Sequence, residues 1–198
     1  MYNFEDGKGP VKAHKHANGG GWVADTAYVA DTVFVGPSAK VSDNARVYDK
    51  ARVSGNARVY DEAMVSGNAM VYDKAMVYDK AMVSDNTRVS GNARVYDKAM
   101  VSGNAMVFNN AKVYGNASVS GNARISGNAW VSKTPPHVVR TDGYDFIVVP
   151  CSDGKNRVIA GCRYFTFKEA KEHWKATRGG TELGEETMDI LEYLKKRV

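Results

Sequence analysis

The sequence predicts an all-β solenoid with a small C-terminal α+β (ββαα) module. Three observations predict it. A hydrophobic period of six runs through residues 22–134, turn-forming residues recur at one phase of that period, and the pattern stops at Pro135-Pro136. The boundaries that follow are an N-terminal segment or cap over residues 1–21, a repeat region over 22–134 and the appended module over 135–198.

The repeat region is the most informative. With Val at position i, the hexads run Val23, Val29, Val35 and onward to Val131, with Ile125 the one exception, nineteen in register without an insertion. Position i+4 is Ala in nearly every hexad, with Val33 and Thr87 as small variants. Positions i+2 and i+3 are mostly Gly-Asn, Asp-Lys or Asp-Asn, residue types that tolerate a positive φ and form turns. A coiled coil is excluded, because six matches neither seven nor 3.6, and each Gly would cost a helix roughly 1 kcal/mol. Disorder is excluded too, since it gives no reason to keep Val and Ala in phase for over a hundred residues.

An aliphatic residue at i with a small one at i+4 resembles the hexapeptide repeat of left-handed parallel β-helices. That resemblance covers residues 22–134 and implies about six triangular coils of 18 residues. At the ~4.8 Å spacing between strands, six coils stand roughly 30 Å tall. Val would fill the interior, Ala the corners, and stability would add up over coil-to-coil interfaces. "GGGWVADTAYVADTVFVGPSAKV", the "VSGNARV" hexads and a tail with "GCRYFTFKEAKEHW" together resemble hexapeptide-repeat proteins of bacteriophages and prophages.

An 18-residue coil sorts the outward residues onto three faces. The first carries Tyr60, Tyr78, Tyr96 and Tyr114 beside Arg58, Arg94 and Lys112, a set suited to a small anionic, nucleotide-type ligand. The second carries a Met64, Met82, Met100 column beside Ser66, Ser84 and Ser102. An uncharged strip of adaptable side chains predicts an oligomer interface, and the family resemblance implies a homotrimer. The third alternates Arg52, Met70, Arg88, Met106 and Arg124, which keeps like charges two coils apart.

Many hexapeptide proteins are acyltransferases that use a His near the coils, and one branch binds zinc through three His. Here His14, His16, His137 and His173 all lie outside the hexads, so no catalytic residue, cofactor or metal is expected. His14, His16, Cys151, Cys162 and His173 match no zinc spacing. The resulting expectation is a non-catalytic, oligomeric phage or prophage accessory protein. It would sequester a small anionic signal, as an anti-defence protein does, or bind a host protein. The alternatives are a virion part (tail tip or fibre segment) and a diverged acyltransferase.

Composition agrees with a folded chain: 43% hydrophobic and 25% charged residues. The net charge of +5 is spread along the sequence without a basic cluster, so dedicated DNA binding is not expected. Residues 1–20 have no apolar core of a secretory leader and no run could span a membrane, so a cytoplasmic location is expected.

In the tail, "YDFIVVPCSDGKNRVIAGCRYFTF" predicts a hairpin in which Ile147, Val149 and Cys151 share a face with Val158, Ala160 and Cys162. The two thiols would not face each other. Thr166 and Glu169 form a capping box that opens a helix to about Thr177, with Phe167, Ala170 and Trp174 inward. A second helix is expected over about 185–197, with Thr187, Leu191, Leu194 and Val198 inward.

Overall fold

The structure, a computed structural model, describes residues 1–198. Strands β1 (Tyr2–Asn3), β2 (Pro10–Val11) and β3 (Ala13–Lys15) precede the repeats. Nineteen short strands, β4 (Trp22–Ala24) through β22 (Trp130–Val131), then wind a β-solenoid of about six coils. Every third strand pairs in parallel, giving three sheets with a register of 18 residues: Arg58 opposite Met76, Met64 opposite Met82, Met70 opposite Arg88. The three faces read from the sequence are these three sheets.

Each coil is tied to the next by backbone bonds 17 residues apart, such as Tyr60 N–H to the Val77 carbonyl at 3.1 Å. From Val33 onward the inward Val and the corner Ala are buried, in one cluster of 38 residues, while Ala27 and Val29 of the first coil are partly buried against it. β-branched Val suits a strand whose inner face is wholly buried, and Ala is the side chain that a tight corner admits. The corners turn through left-handed residues at i+2, among them Asp61 at φ 57° and Asp79 at φ 55°. The Asp carboxylate then accepts the N–H of the residue one coil on, as Asp85 does from Gly103 at 2.8 Å. Asn at i+3 builds amide ladders; Asn68, Asn86, Asn104 and Asn122 are linked in sequence at 3.0–3.1 Å.

Both ends of the stack are covered, as a solenoid requires. At the start, β3 pairs antiparallel with β4 and closes the edge of the first sheet. The chain before it folds back onto that face, with Phe4 buried and Tyr2 stacked on Trp22 at 4.2 Å.

At the far end, β23 (His137–Val139), β24 (Asp145–Pro150), β25 (Asn156–Ala160) and β26 (Arg163–Phe165) form an antiparallel sheet, followed by α1 (Phe167–Arg178) and α2 (Glu182–Lys195). One face of this sheet (Ile147, Val149, Ile159) joins the solenoid core. The other (Phe146, Val148, Val158, Ala160) packs on Trp174, Leu191 and Leu194.

The expected hairpin faces need correction. Ile147 lies opposite Ile159 and Val149 opposite Arg157, while Val158 and Ala160 point to the helices. The turn is the three residues Ser152–Gly154, with Gly154 at φ 73°, rather than the five of "SDGKN". Cys151 is a buried free thiol against the Tyr164 hydroxyl at 2.8 Å, and Cys162 is exposed and free. The Thr166–Glu169 capping box forms as expected. The second helix starts earlier than expected, at Glu182, because the Thr181 hydroxyl caps it by accepting from Gly184 N–H. Val198 lies beyond it and is 51% exposed, not inward.

Candidate functional site

On the first face the four tyrosines form a continuous stack. Ring centroids are 4.9 Å apart from Tyr60 to Tyr78 and from Tyr78 to Tyr96, and 5.2 Å from Tyr96 to Tyr114, with planes within 8° of parallel. The 18-residue register dictates this, since it places identical i+1 positions one strand spacing apart. It also limits what the ladder can bind. A ring inserted between two tyrosines would need roughly 7 Å, two van der Waals contacts of about 3.5 Å. The ring faces are therefore taken up by one another, and the edge with its hydroxyls is what remains to a ligand.

Three of those hydroxyls, on Tyr60, Tyr78 and Tyr96, hold their protons more tightly than a free tyrosine does. Burial raises the pKa of Tyr60 and Tyr96, and that of Tyr78 to about 12; neighbouring tyrosines add to the shift at Tyr78 and Tyr96, and Asp61 adds to it at Tyr60. At neutral pH these three thus present neutral O–H donors.

The cations divide into two groups. Arg58 is committed to the N-terminal segment: its guanidinium donates to the Phe4 carbonyl. Lys40 pairs with Glu5 at 2.7 Å on the same face. Arg94 and Lys112, further along, stand outside the ion pairs of the solenoid, which use Lys8, Lys40 and Lys80. Lys112 also lies over the Trp130 ring at 4.4 Å. The seven expected ligand-binding residues are thus brought onto one face, but the free positive charge sits at the Arg94–Lys112 end.

The opposite flank of the tyrosines is acidic. Asp61, Asp79 and Asp97 stack at the corner with Glu62, Lys80 and Lys98. Lys8 bridges Asp43 and Asp61 at 2.8 and 3.3 Å, which relieves the start of that column. An anion on this face would be held on the Arg94–Lys112 side.

On the second face Met64, Met82 and Met100 align one coil apart, and Met100 is 41% exposed. Together with Ser66, Ser84 and Ser102 they border a shallow groove of about 220 Å³. The third face holds what the sequence reading passed over. Arg88 and Arg124 share a cleft with Tyr144 and Asp145 of the C-terminal module. No periodic signal could have found it, because one wall belongs to the non-repeating tail.

The histidines lie outside the repeat strands. His14 meets Asp25 at 2.9 Å, His16 meets the Asn18 carbonyl at 3.2 Å, and His173 packs on Phe165 and Trp174.

Parallel coils in 18-residue register decide the architecture. This is a β-solenoid repeat protein. Residues 51–65, 87–102 and 117–133 match the family described as YdcK Beta solenoid repeat, so three stretches of the solenoid are similar to that repeat. No curated protein and no solved structure matches the chain. No helix is long and apolar enough to cross a membrane.

Proposed function

We propose that the protein is a non-catalytic, self-associating binding protein whose first face takes a small anionic molecule. The observation that carries this reading is the tyrosine edge flanked by two uncommitted cations. Tyr96 and Tyr114 present their hydroxyls beside Arg94 and Lys112, and charge-assisted hydrogen bonds to an anion are the strong kind. The resemblance to phage and prophage hexapeptide proteins supports an accessory role in the host cytoplasm, of the sort that sequesters a nucleotide-type signal. Calorimetric titration with cyclic nucleotides and ADP-ribose derivatives tests it. Saturable binding that is lost in Arg94→Ala is expected; absence of binding by all of them refutes the reading.

Self-association is assigned to the second face, as a homotrimer. The Met column is apolar, adaptable and free of charge in its middle, and the groove beside it gives a neighbouring copy relief to pack into. Light scattering should give three times the chain mass for the natural sequence and a smaller species for Met82→Lys. A monomer in both would exclude the interface.

A further inference from the structure

Where the C-terminal module sits on the prism, it leaves a cleft of about 430 Å³ beside the third face. That volume falls within the roughly 300–1,000 Å³ of small-molecule sites. The solenoid wall presents Arg88 and Arg124, two coils apart with Met106 between them. The module wall presents Tyr144 and Asp145.

Two of the residues that line the cleft, one from each wall, carry a buried polar atom without a partner: Nε of Arg124 and Oδ1 of Asp145. They do not satisfy each other, and Asp145 takes part in none of the module's ion pairs, which engage Asp142, Asp153, Glu172 and Glu192. Buried polar groups are normally paired, and a donor and an acceptor left unmatched in one cleft call for an explanation. A third polar group lies nearby. The asparagine ladder ends at Asn122, which lines the cleft and whose amide NH₂ the ladder does not use.

The cleft therefore offers two guanidinium groups for an anion, plus a carboxylate acceptor and amide and guanidinium donors for a neutral polar edge. Met106 supplies an apolar surface between the arginines, against which a flat ring can lie. Nucleobases carry adjacent donors and acceptors on one edge, and their nucleotides carry the anion.

We infer that this cleft binds a mononucleotide, its phosphate held by Arg88 and Arg124 and its base edge by Asp145 and Asn122. The site is separate from the first face and does not depend on any ligand binding there.

The test is calorimetric titration of AMP, GMP, CMP, UMP and inorganic phosphate into the full-length protein and three variants. Arg124→Met copies the residue that the same column already uses at positions 70 and 106, so it preserves the packing. Asp145→Asn removes the charge at constant shape, and Arg94→Ala serves as the first-face control. Expected is a saturable site for at least one nucleotide that is weakened at least ten-fold by Arg124→Met and by Asp145→Asn and is still present in Arg94→Ala, any first-face site being a separate one that only Arg94→Ala removes. Four results would overturn the inference. They are no saturable binding by any nucleotide, binding that survives both cleft variants, loss in Arg94→Ala alone, and phosphate binding as tightly as every nucleotide. The first would mean that water fills the cleft, and the third would leave the first-face reading standing while this one fell.

Discussion

The interior of the prism and the interior of the terminal module solve the same problem with opposite economies of side chain. The prism buries almost only Val and Ala, each meeting its like 18 positions away, so cohesion is spread over many equal contacts. The module gathers nine buried residues around Phe146, Trp174, Leu191 and Leu194. It also depends on a single buried cation. Arg140, 3% exposed, makes two bonds to Asp142 at 2.9 and 2.7 Å and one to the Thr187 hydroxyl at 2.8 Å, so it joins the sheet to α2. Redundancy protects the prism from any one substitution, whereas in the module a few large groups carry most of the packing.

The sharpest way to break that comparison is a pair of truncations. Trp174→Ala removes a ring in contact with Phe146 and Phe165 and should cost about 3–5 kcal/mol. Val77→Ala, in the middle of the prism, removes two methyl groups and should cost roughly 2 kcal/mol. Urea unfolding followed by the helical circular dichroism signal measures the first, since both helices belong to the module. Equal losses in the two variants would mean that the module draws its stability from the prism it sits on.

The same contrast explains what could be read in advance. Val and Ala in phase fix the inside, the corners and the three faces, because in a solenoid the spatial neighbour is a constant sequence offset. The tyrosine ladder and the Met column followed from that offset alone. The tail has no constant offset. Its hairpin register is set by the turn alone, and pairing Cys151 with Val158 instead of with Lys155 is an odd-numbered slip, which is enough to put Val158 and Ala160 on the wrong face. Two features of the site also needed chain that lies outside the period. The folding back of residues 1–15 removes Arg58 from the free cations, and the placing of Asp145 turns a bare arginine column into a cleft.

Asp145 sits where the two regions meet and gives a smaller, pH-dependent effect. Burial raises its carboxyl pKa, and the nearby His137 offsets this only in part. A carboxyl whose pKa is higher in the folded chain binds its proton more tightly there. Its contribution to stability therefore declines as pH rises through the carboxylate range, and the penalty persists at neutral pH. Asp142, held near pKa 2 by Arg140, acts in the opposite sense, stabilising above the ordinary carboxylate pKa and losing that effect as pH falls toward 2. Comparing Asp145→Asn with the natural sequence isolates the effect of Asp145. In thermal melts the variant should gain stability relative to the parent as pH rises through the carboxylate range toward neutral. A parent that gains over the variant instead would show that the unpartnered oxygen is stabilised by a group that favours its charge.

The smallest effect tests the uniformity of the prism itself. Thr87 occupies a corner position that is Ala at 51, 69, 105 and 123, and it is fully buried like them. Its hydroxyl has one long contact, 3.4 Å to the Val101 carbonyl, at the outer limit of a hydrogen bond. Burying a hydroxyl costs about as much as a weak bond returns, and the corner already accepts the smaller side chain elsewhere. Thr87→Ala should accordingly change stability by no more than about 0.5 kcal/mol, read as an almost unmoved urea midpoint. A loss above about 1 kcal/mol would show that this hydroxyl makes a bond worth keeping. The prism would then have one corner held in the manner of the module, by a specific polar contact instead of by repetition.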